Sequence, residues 1–244
     1  MQKQQSERSH LFSLAREKVS LIEGKVNGLP KRKEMKITIF GATGKTGKQL
    51  VKQALGAGDQ VVAYVRDPSK LEQKHERLTV IRGELKDQEE MQRAINGADA
   101  VISLLGPRGG SKGKPITIGA QNIIAAMKKQ GVRRLIISST ASAKDPKDKS
   151  ELRFRVMIGM VKLFIHAAYE DIVSTAEEVR KSDLDWTIVR LSLLNNDPKS
   201  GKVKVGYMGR GEVGTKISRA DIADFMLKQV KDLKYLRQAP LISN

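Results

Sequence analysis

Glycines at 41, 44 and 47, in Gly41-Ala42-Thr43-Gly44-Lys45-Thr46-Gly47, are spaced to bring a backbone against phosphate oxygens. The apolar run Ile37-Thr38-Ile39-Phe40 precedes them and helical periodicity follows, so the glycines fall on a strand-to-helix turn. There, free helix N–H groups would point at a pyrophosphate. A side chain at Gly44 would push the phosphates away, and Gly47 would let helix and strand pack closely. Gly44-Lys45-Thr46 also imitates the end of a triphosphate-binding P-loop. That loop needs a glycine five positions before its second glycine, and Ile39 stands there. The spacing favours a bound dinucleotide over a hydrolysed triphosphate.

Other residues extend that chemistry. Arg66, at the end of the second apolar run, suits the dianionic 2′-phosphate of NADP, where an acidic residue would favour NAD. Asp67 would repel that phosphate if it faced the ribose; it reads instead as the cap of the turn Asp67-Pro68-Ser69-Lys70. Lys45 and Ser69 are candidate secondary phosphate contacts. Gly83-Glu84-Leu85-Lys86-Asp87 follows the third strand, at the expected adenine edge. Leu105 and Gly106 follow the fourth strand, where ligands bind in an open parallel sheet, and Arg108 would touch either phosphate or solvent. Ser138, Ser139 and Thr140 end the fifth strand. A hydroxyl there would bond a nicotinamide carboxamide or a substrate oxygen, or else satisfy loop backbone; Ser139 and Thr140 are the catalytic candidates. Tyr169 suggests the Tyr-x-x-x-Lys general acid of dehydrogenases, but Val173 occupies the lysine position. That argues against alcohol–ketone interconversion.

The elements that must position these groups alternate regularly. Strands are expected at Lys36–Phe40, Gln60–Val65, Leu78–Arg82, Ala100–Leu104, Arg134–Ser138 and Trp186–Arg190. Helices fit between them at about Thr46–Leu55, Gln88–Ile95, Ile116–Gln130 and Asp171–Lys181. Ser218-Arg219-Ala220-Asp221 resembles a capping box opening a helix through about Val230. The fold class that follows is α/β, a Rossmann-type doubly wound parallel sheet. A small C-terminal substrate-side region, from about residues 145–170 and 191–217, and an N-terminal helical leader accompany it. Residues 1–34 form that basic leader, with eight Lys/Arg and four Glu, and residues 35–244 form the nucleotide-binding domain. Leu11, Leu14, Val19 and Ile22 would give the leader one apolar face, either mobile or docked on the surface, or else in weak contact with a membrane surface or an oligomer partner. The apolar segment Leu152–Ala168, with Met157 and Met160, reads as a helix over the substrate end or as an adaptable apolar lid. His166, at its end, reads as a surface or structural histidine, and Trp186 as core.

Composition narrows the classes. The 244 residues contain no cysteine and three histidines, so neither thiol chemistry nor a histidine-cluster metal site is expected. Lys and Arg number 45 against 27 acidic residues, a formal charge of +18. That excess is spread along the chain and lacks a nucleic-acid motif, so it reads as attraction for anionic ligands with no nucleic-acid partner. No apolar run is long enough to cross a membrane, no signal peptide is evident, and the expected location is the cytoplasm.

In this order, GATGKTG, the VRDP turn, GELKD, SLLG, LIISST and LDWTIVR resemble the atypical short-chain dehydrogenase/reductases. The nearest group is the NmrA-like, biliverdin/flavin-reductase-like one, and the likeness covers about residues 35–240. The resemblance implies NADP binding through Gly41, Thr43, Gly44, Thr46, Arg66 and Leu85, with NADPH preferred to NADH. It also implies a nicotinamide near Gly106 and the serines after the fifth strand. Glu84 stands where the group usually has Asp, and Leu191 where it has Pro after Arg190. The expected activity is hydride transfer from NADPH to a small aromatic flavin-, quinone- or tetrapyrrole-like acceptor. The alternative is a non-catalytic NADP(H)-sensing regulator, with an isomerase or assembly factor a third reading.

Overall fold

The computed structural model describes residues 33–107, 113–150 and 165–244, with Val156, Gly159, Met160, Lys162 and Leu163 between the last two stretches. Nearly all of the leader, about half of the apolar segment 152–168 (Met157 included) and Arg108 lie outside the described residues.

Strand and helix alternate as the periodicity predicts. β1 (Lys36–Phe40), α1 (Lys45–Gly56), β2 (Gln60–Val65), β3 (Leu78–Arg82), α2 (Gln88–Ile95) and β4 (Ala100–Ser103) lead into α3 (Pro115–Lys129). β5 (Arg134–Thr140), α4 (His166–Lys181) and β6 (Asp185–Leu191) complete the regular alternation. Then come β7 (Leu193–Asn195), β8 (Lys204–Gly206), β9 (Lys216–Ser218), α5 (Arg219–Lys228) and β10 (Leu241–Ser243). The main sheet has the order β3-β2-β1-β4-β5-β6-β10-β8, parallel except for β8, which runs antiparallel to β10. Its first six strands have the doubly wound order whose reversal point lies between β1 and β4. β7 and β9 form a separate parallel pair.

The sequence places the six long strands to within two residues; the three-residue strands β7–β10 carry too little pattern to be seen. α4 begins at His166, not Asp171, because its first position follows Ile165, which offers no side-chain cap to mark the start.

Two apolar layers hold the sheet. Leu50, Val51 and Ala54 of α1 and Ile222 and Met226 of α5 cover Ile37, Ile39, Ile102 and Val189. Met91 of α2, Ile123 and Met127 of α3 and Val179 of α4 cover Val62, Val101, Leu135 and Ile188, with Trp186 buried in this second layer. Because both faces are covered, the strands read as continuous apolar runs. No helix among the described residues is long and apolar enough to cross a membrane.

Buried polar groups fix the joints. Arg134 donates through Nε and Nη2 to the Gln229 carbonyl, at 2.9 and 2.6 Å, where a cation at the α5 C-terminus is favoured. Burial pulls its pKa down to about 10. Arg190, fully buried in β6, makes a two-pronged ion pair with Asp148 at 2.7 and 2.8 Å and donates to the Ala239 carbonyl at 2.6 Å. Asp171 of α4 accepts from the Ile116 and Thr117 N–H groups at 3.0 and 2.8 Å, capping α3 from outside that helix.

Tyr64 yields a stability prediction. Its hydroxyl donates to the Glu84 carbonyl at 2.7 Å, and burial, then Asp87, Glu90 and Glu84, push its pKa up to about 12. A Cβ on Gly83 would stand 2.2 Å from that hydroxyl. Gly83→Ala is therefore expected to cost about 1–3 kcal/mol through forced repacking. A urea midpoint equal to wild type would count against it.

Candidate functional site

At the carboxyl ends of β1, β4, β5 and β6, a cavity of about 430 Å³ opens where the strand order reverses. Its floor is the glycine turn. Gly41 has φ +79°, and a Cβ there would lie 2.9 Å from the Leu104 carbonyl, so only glycine lets the turn pass the chain leaving β4 this closely. At Gly47 a Cβ would lie 2.1 Å from the Gly41 oxygen, which is how helix and turn come to touch. Gly44 is the α1 N-cap and brings no side-chain cap, and the first turn of α1 has no acidic residue. Its opening N–H groups therefore remain available to an anion at the positive end of the helix.

The cavity brings together Gly41, Gly44, Lys45, Thr46, Gly47, Leu105, Gly106, Ser138, Ser139 and Thr140 from the predicted set. Thr140 Oγ1 accepts the Ser142 N–H at 3.3 Å, so this hydroxyl supports the loop. Ser138 and Ser139, partly exposed, have no side-chain hydrogen bond among the described residues. Thr43, Arg66, Ser69, Glu84 and Leu85 are not among the residues lining it.

Thr43 belongs to the glycine turn itself, and the other four sit on the turns after β2 and β3. Asp67 accepts from the Ser69 N–H at 3.1 Å and the Ser69 hydroxyl at 2.6 Å, as a turn cap, with Pro68 at the first position of the short turn Pro68–Lys70. The Ser69 hydroxyl, then Lys70, hold the Asp67 carboxyl below its usual range. Ser69 is thus committed to its own turn, whereas Arg66 is exposed and makes no ion pair among the described residues. The Glu84 carboxylate pairs with Lys86 at 3.7 Å, and the Leu85 carbonyl accepts from Asn122 at 2.7 Å.

Tyr169, partly buried, packs against Met208 and Leu241 and is not among the residues lining the cavity. His166 is exposed, 3.2 Å from Glu170. No group of residues suited to hold a metal ion occurs among the described residues.

Sequence reasoning missed six wall residues: Ile116, Ile172, Thr175, Leu191, Leu194 and Arg219. They arrive from α3, α4, β6, β7 and α5, which only the tertiary fold brings together. Arg219 did leave a signal, a cation in the first turn of a helix, where the dipole favours anions. The capping box also differs in detail. Ser218 Oγ accepts the Asp221 N–H at 3.0 Å as expected. Asp221 does not reach back to the Ser218 backbone; it binds Ser200 and Gly201 N–H groups at 3.1 and 2.8 Å, and Asn244 at 2.6 Å.

Residues 41–233 match the family described as NAD(P)H-binding. An uncharacterized chloroplastic protein of Arabidopsis thaliana is 29% identical over 183 residues, covering 70% of this chain and 63% of the plant protein. The chain thus spans less than two thirds of that relative. A short-chain dehydrogenase/reductase of Veillonella parvula DSM 2008, solved in complex with NADP, superposes with a TM-score of 0.71 at 21% identity, covering 86% and 94% of the two chains. An anaerobillin reductase of Escherichia coli O157:H7 superposes with a TM-score of 0.70 at 19% identity, covering 85% and 96%. At these identities the two structures share this chain's fold.

Proposed function

Because the chain belongs to the NAD(P)H-binding family, we propose that it is an NADPH-dependent reductase passing hydride to a flavin-, quinone- or tetrapyrrole-like acceptor. One observation carries the reading: an uncapped helix N-terminus and two uncommitted serines share one cavity whose other walls are largely apolar. The bound nicotinamide would supply the hydride.

In this reading the chain's own residues bind, orient and exclude water. The turn Gly41–Gly47 and the first N–H groups of α1 hold the pyrophosphate, with Thr43 and Lys45 beside them. Arg66 holds the 2′-phosphate, and Glu84 and Leu85 border the adenine. Ser138 or Ser139 bonds the carboxamide or an acceptor oxygen. Leu104, Leu105, Ile116, Ile172 and Leu191 keep water from the reacting face. A quinone or flavin can take its proton from solvent, so the site needs no tyrosine–lysine pair.

The direct test is NADPH consumption by the full chain with FMN and a small quinone panel, against NADH. Turnover favouring NADPH is expected; tight NADPH binding without turnover would instead support the sensing role, which the position of Tyr169 outside the cavity lining favours. Arg66→Ala is expected to weaken NADPH binding about 10- to 100-fold, the equivalent of one charge-assisted contact, while NADH changes less than about threefold. Equal losses would remove the 2′-phosphate assignment.

A further inference from the structure

Of the charged groups lining the cavity, both are cationic, Lys45 and Arg219, and neither pairs with a carboxylate among the described residues. Arg219 is partly buried. Its Nη1 donates to the Asn195 carbonyl at 3.0 Å and to Asn196 Oδ1 at 2.7 Å, which uses both hydrogens of that nitrogen. The three N–H donors on Nε and Nη2 have no acceptor among the described residues. A guanidinium presents these in a planar fork that fits two oxygens of one anion.

The acids nearest in the chain are unable to neutralise it. Asp221 already receives N–H groups of Ser200 and Gly201, the Ser218 hydroxyl at 2.7 Å and Asn244. Asp224 pairs with Lys199 and Lys228 at 2.6 and 2.7 Å. Arg219 also belongs to elements that follow β6, next in sequence to the β7–β9 pair that carries Leu194. Arg66 lies beyond β2, on the other side of β1 in the sheet order.

We infer that Arg219 is a specificity residue that selects acceptors bearing an anionic substituent, a carboxylate, phosphate or sulfonate attached to the planar reducible ring. The inference rests on the reductase reading for the acceptor's place in the cavity and adds the charge it carries. Leu191, Leu194 and Ile172 face the ring system, and the guanidinium clamps the anion and fixes the ring's orientation. Neutral rings of the same shape keep the apolar contacts and lose the clamp.

The experiment uses two probe pairs that differ in one anionic group: FMN against riboflavin, and 1,4-naphthoquinone-2-sulfonate against 1,4-naphthoquinone. Binding to the full chain with NADP⁺ present is read by flavin fluorescence quenching and by calorimetry. The anionic member is expected to bind at least about tenfold more tightly in at least one pair, with the ratio shrinking as salt rises. Arg219→Gln should bring that ratio below about threefold while the neutral member and NADPH bind as in wild type. Arg219→Lys, which keeps the charge and loses the fork, should fall between. Equal affinity within both pairs, no binding in either, or an equal fall in NADPH affinity in Arg219→Gln would overturn the inference. The wild-type ratios decide it even if a variant fails to fold. Anion preference without turnover would remove the reductase and keep the anion site; turnover without preference would do the reverse.

Discussion

Gly44→Val is expected to lower affinity for NADPH and NADH alike by at least about 100-fold, close to 2.7 kcal/mol, with the melting temperature within a few degrees of wild type. The separation of binding from folding follows from local geometry. Gly44 has φ −71° and ψ 161°, a backbone any residue adopts, and is exposed at the cavity. The nearest atom to an added Cβ is the Gly41 oxygen at 3.3 Å, a tight but tolerable contact. The branched side chain would instead fill the space a phosphate needs above the α1 N–H groups. Gly47→Val is the control for the opposite outcome. Its Cβ would meet backbone at 2.1 and 2.8 Å, so loss of fold should accompany loss of binding. Unchanged cofactor affinity in a folded Gly44→Val protein would end the pyrophosphate-turn assignment.

Asp148→Asn is expected to cost about 3–5 kcal/mol, the largest loss predicted for any single polar side chain here. It would leave the buried Arg190 guanidinium without its counter-charge and weaken the bonds Asp148 takes from the Asp145 and Met208 N–H groups at 2.8 and 2.9 Å. Burial alone would raise the Asp148 pKa. The Arg190 guanidinium and those N–H groups outweigh it and hold the carboxyl below its usual range. A depressed folded pKa means that the contribution is complete above the unfolded value, about 3.9, and drains away as pH falls through the folded one. Wild type should therefore lose stability in that acid window more steeply than Asp148→Asn. Parallel pH profiles in urea titrations would show that the pair contributes little.

The nucleotide half of this molecule was legible because its signals are local. Three glycines, an apolar run before them and a helical pattern after them lie within one short stretch, and each reports a backbone requirement. Asp67 could be separated from the ribose because Pro68 and Ser69 follow it directly. Val173 in place of lysine marks Tyr169 as lacking its usual partner, and Tyr169 packs against Met208 and Leu241. The rest of the cavity was opaque because its walls converge from five distant elements. Leu191 and Leu194 follow the last long strand and look like ordinary strand-end residues. The pairing of Asp148 with Arg190 spans forty-two positions and leaves no periodic trace. Arg219 was read only as filler inside a capping box, although its charge contradicts the helix end it occupies.

The sheet's last seam gives the molecule a direction in time. β8 finds no partner in the main sheet except β10, which also closes against β6. During synthesis from the N-terminus, β1 to β6 can pair as they emerge, whereas Lys204–Gly206 must wait for Leu241–Ser243. The glycine turn is therefore finished on the ribosome well before the strands beyond β6 lock. Nascent chains arrested before residue 241 should leave the stretch around residue 204 open to protease, and release of the last strand should close it. The order of translation thus makes the glycine turn first and completes the far edge of the sheet last.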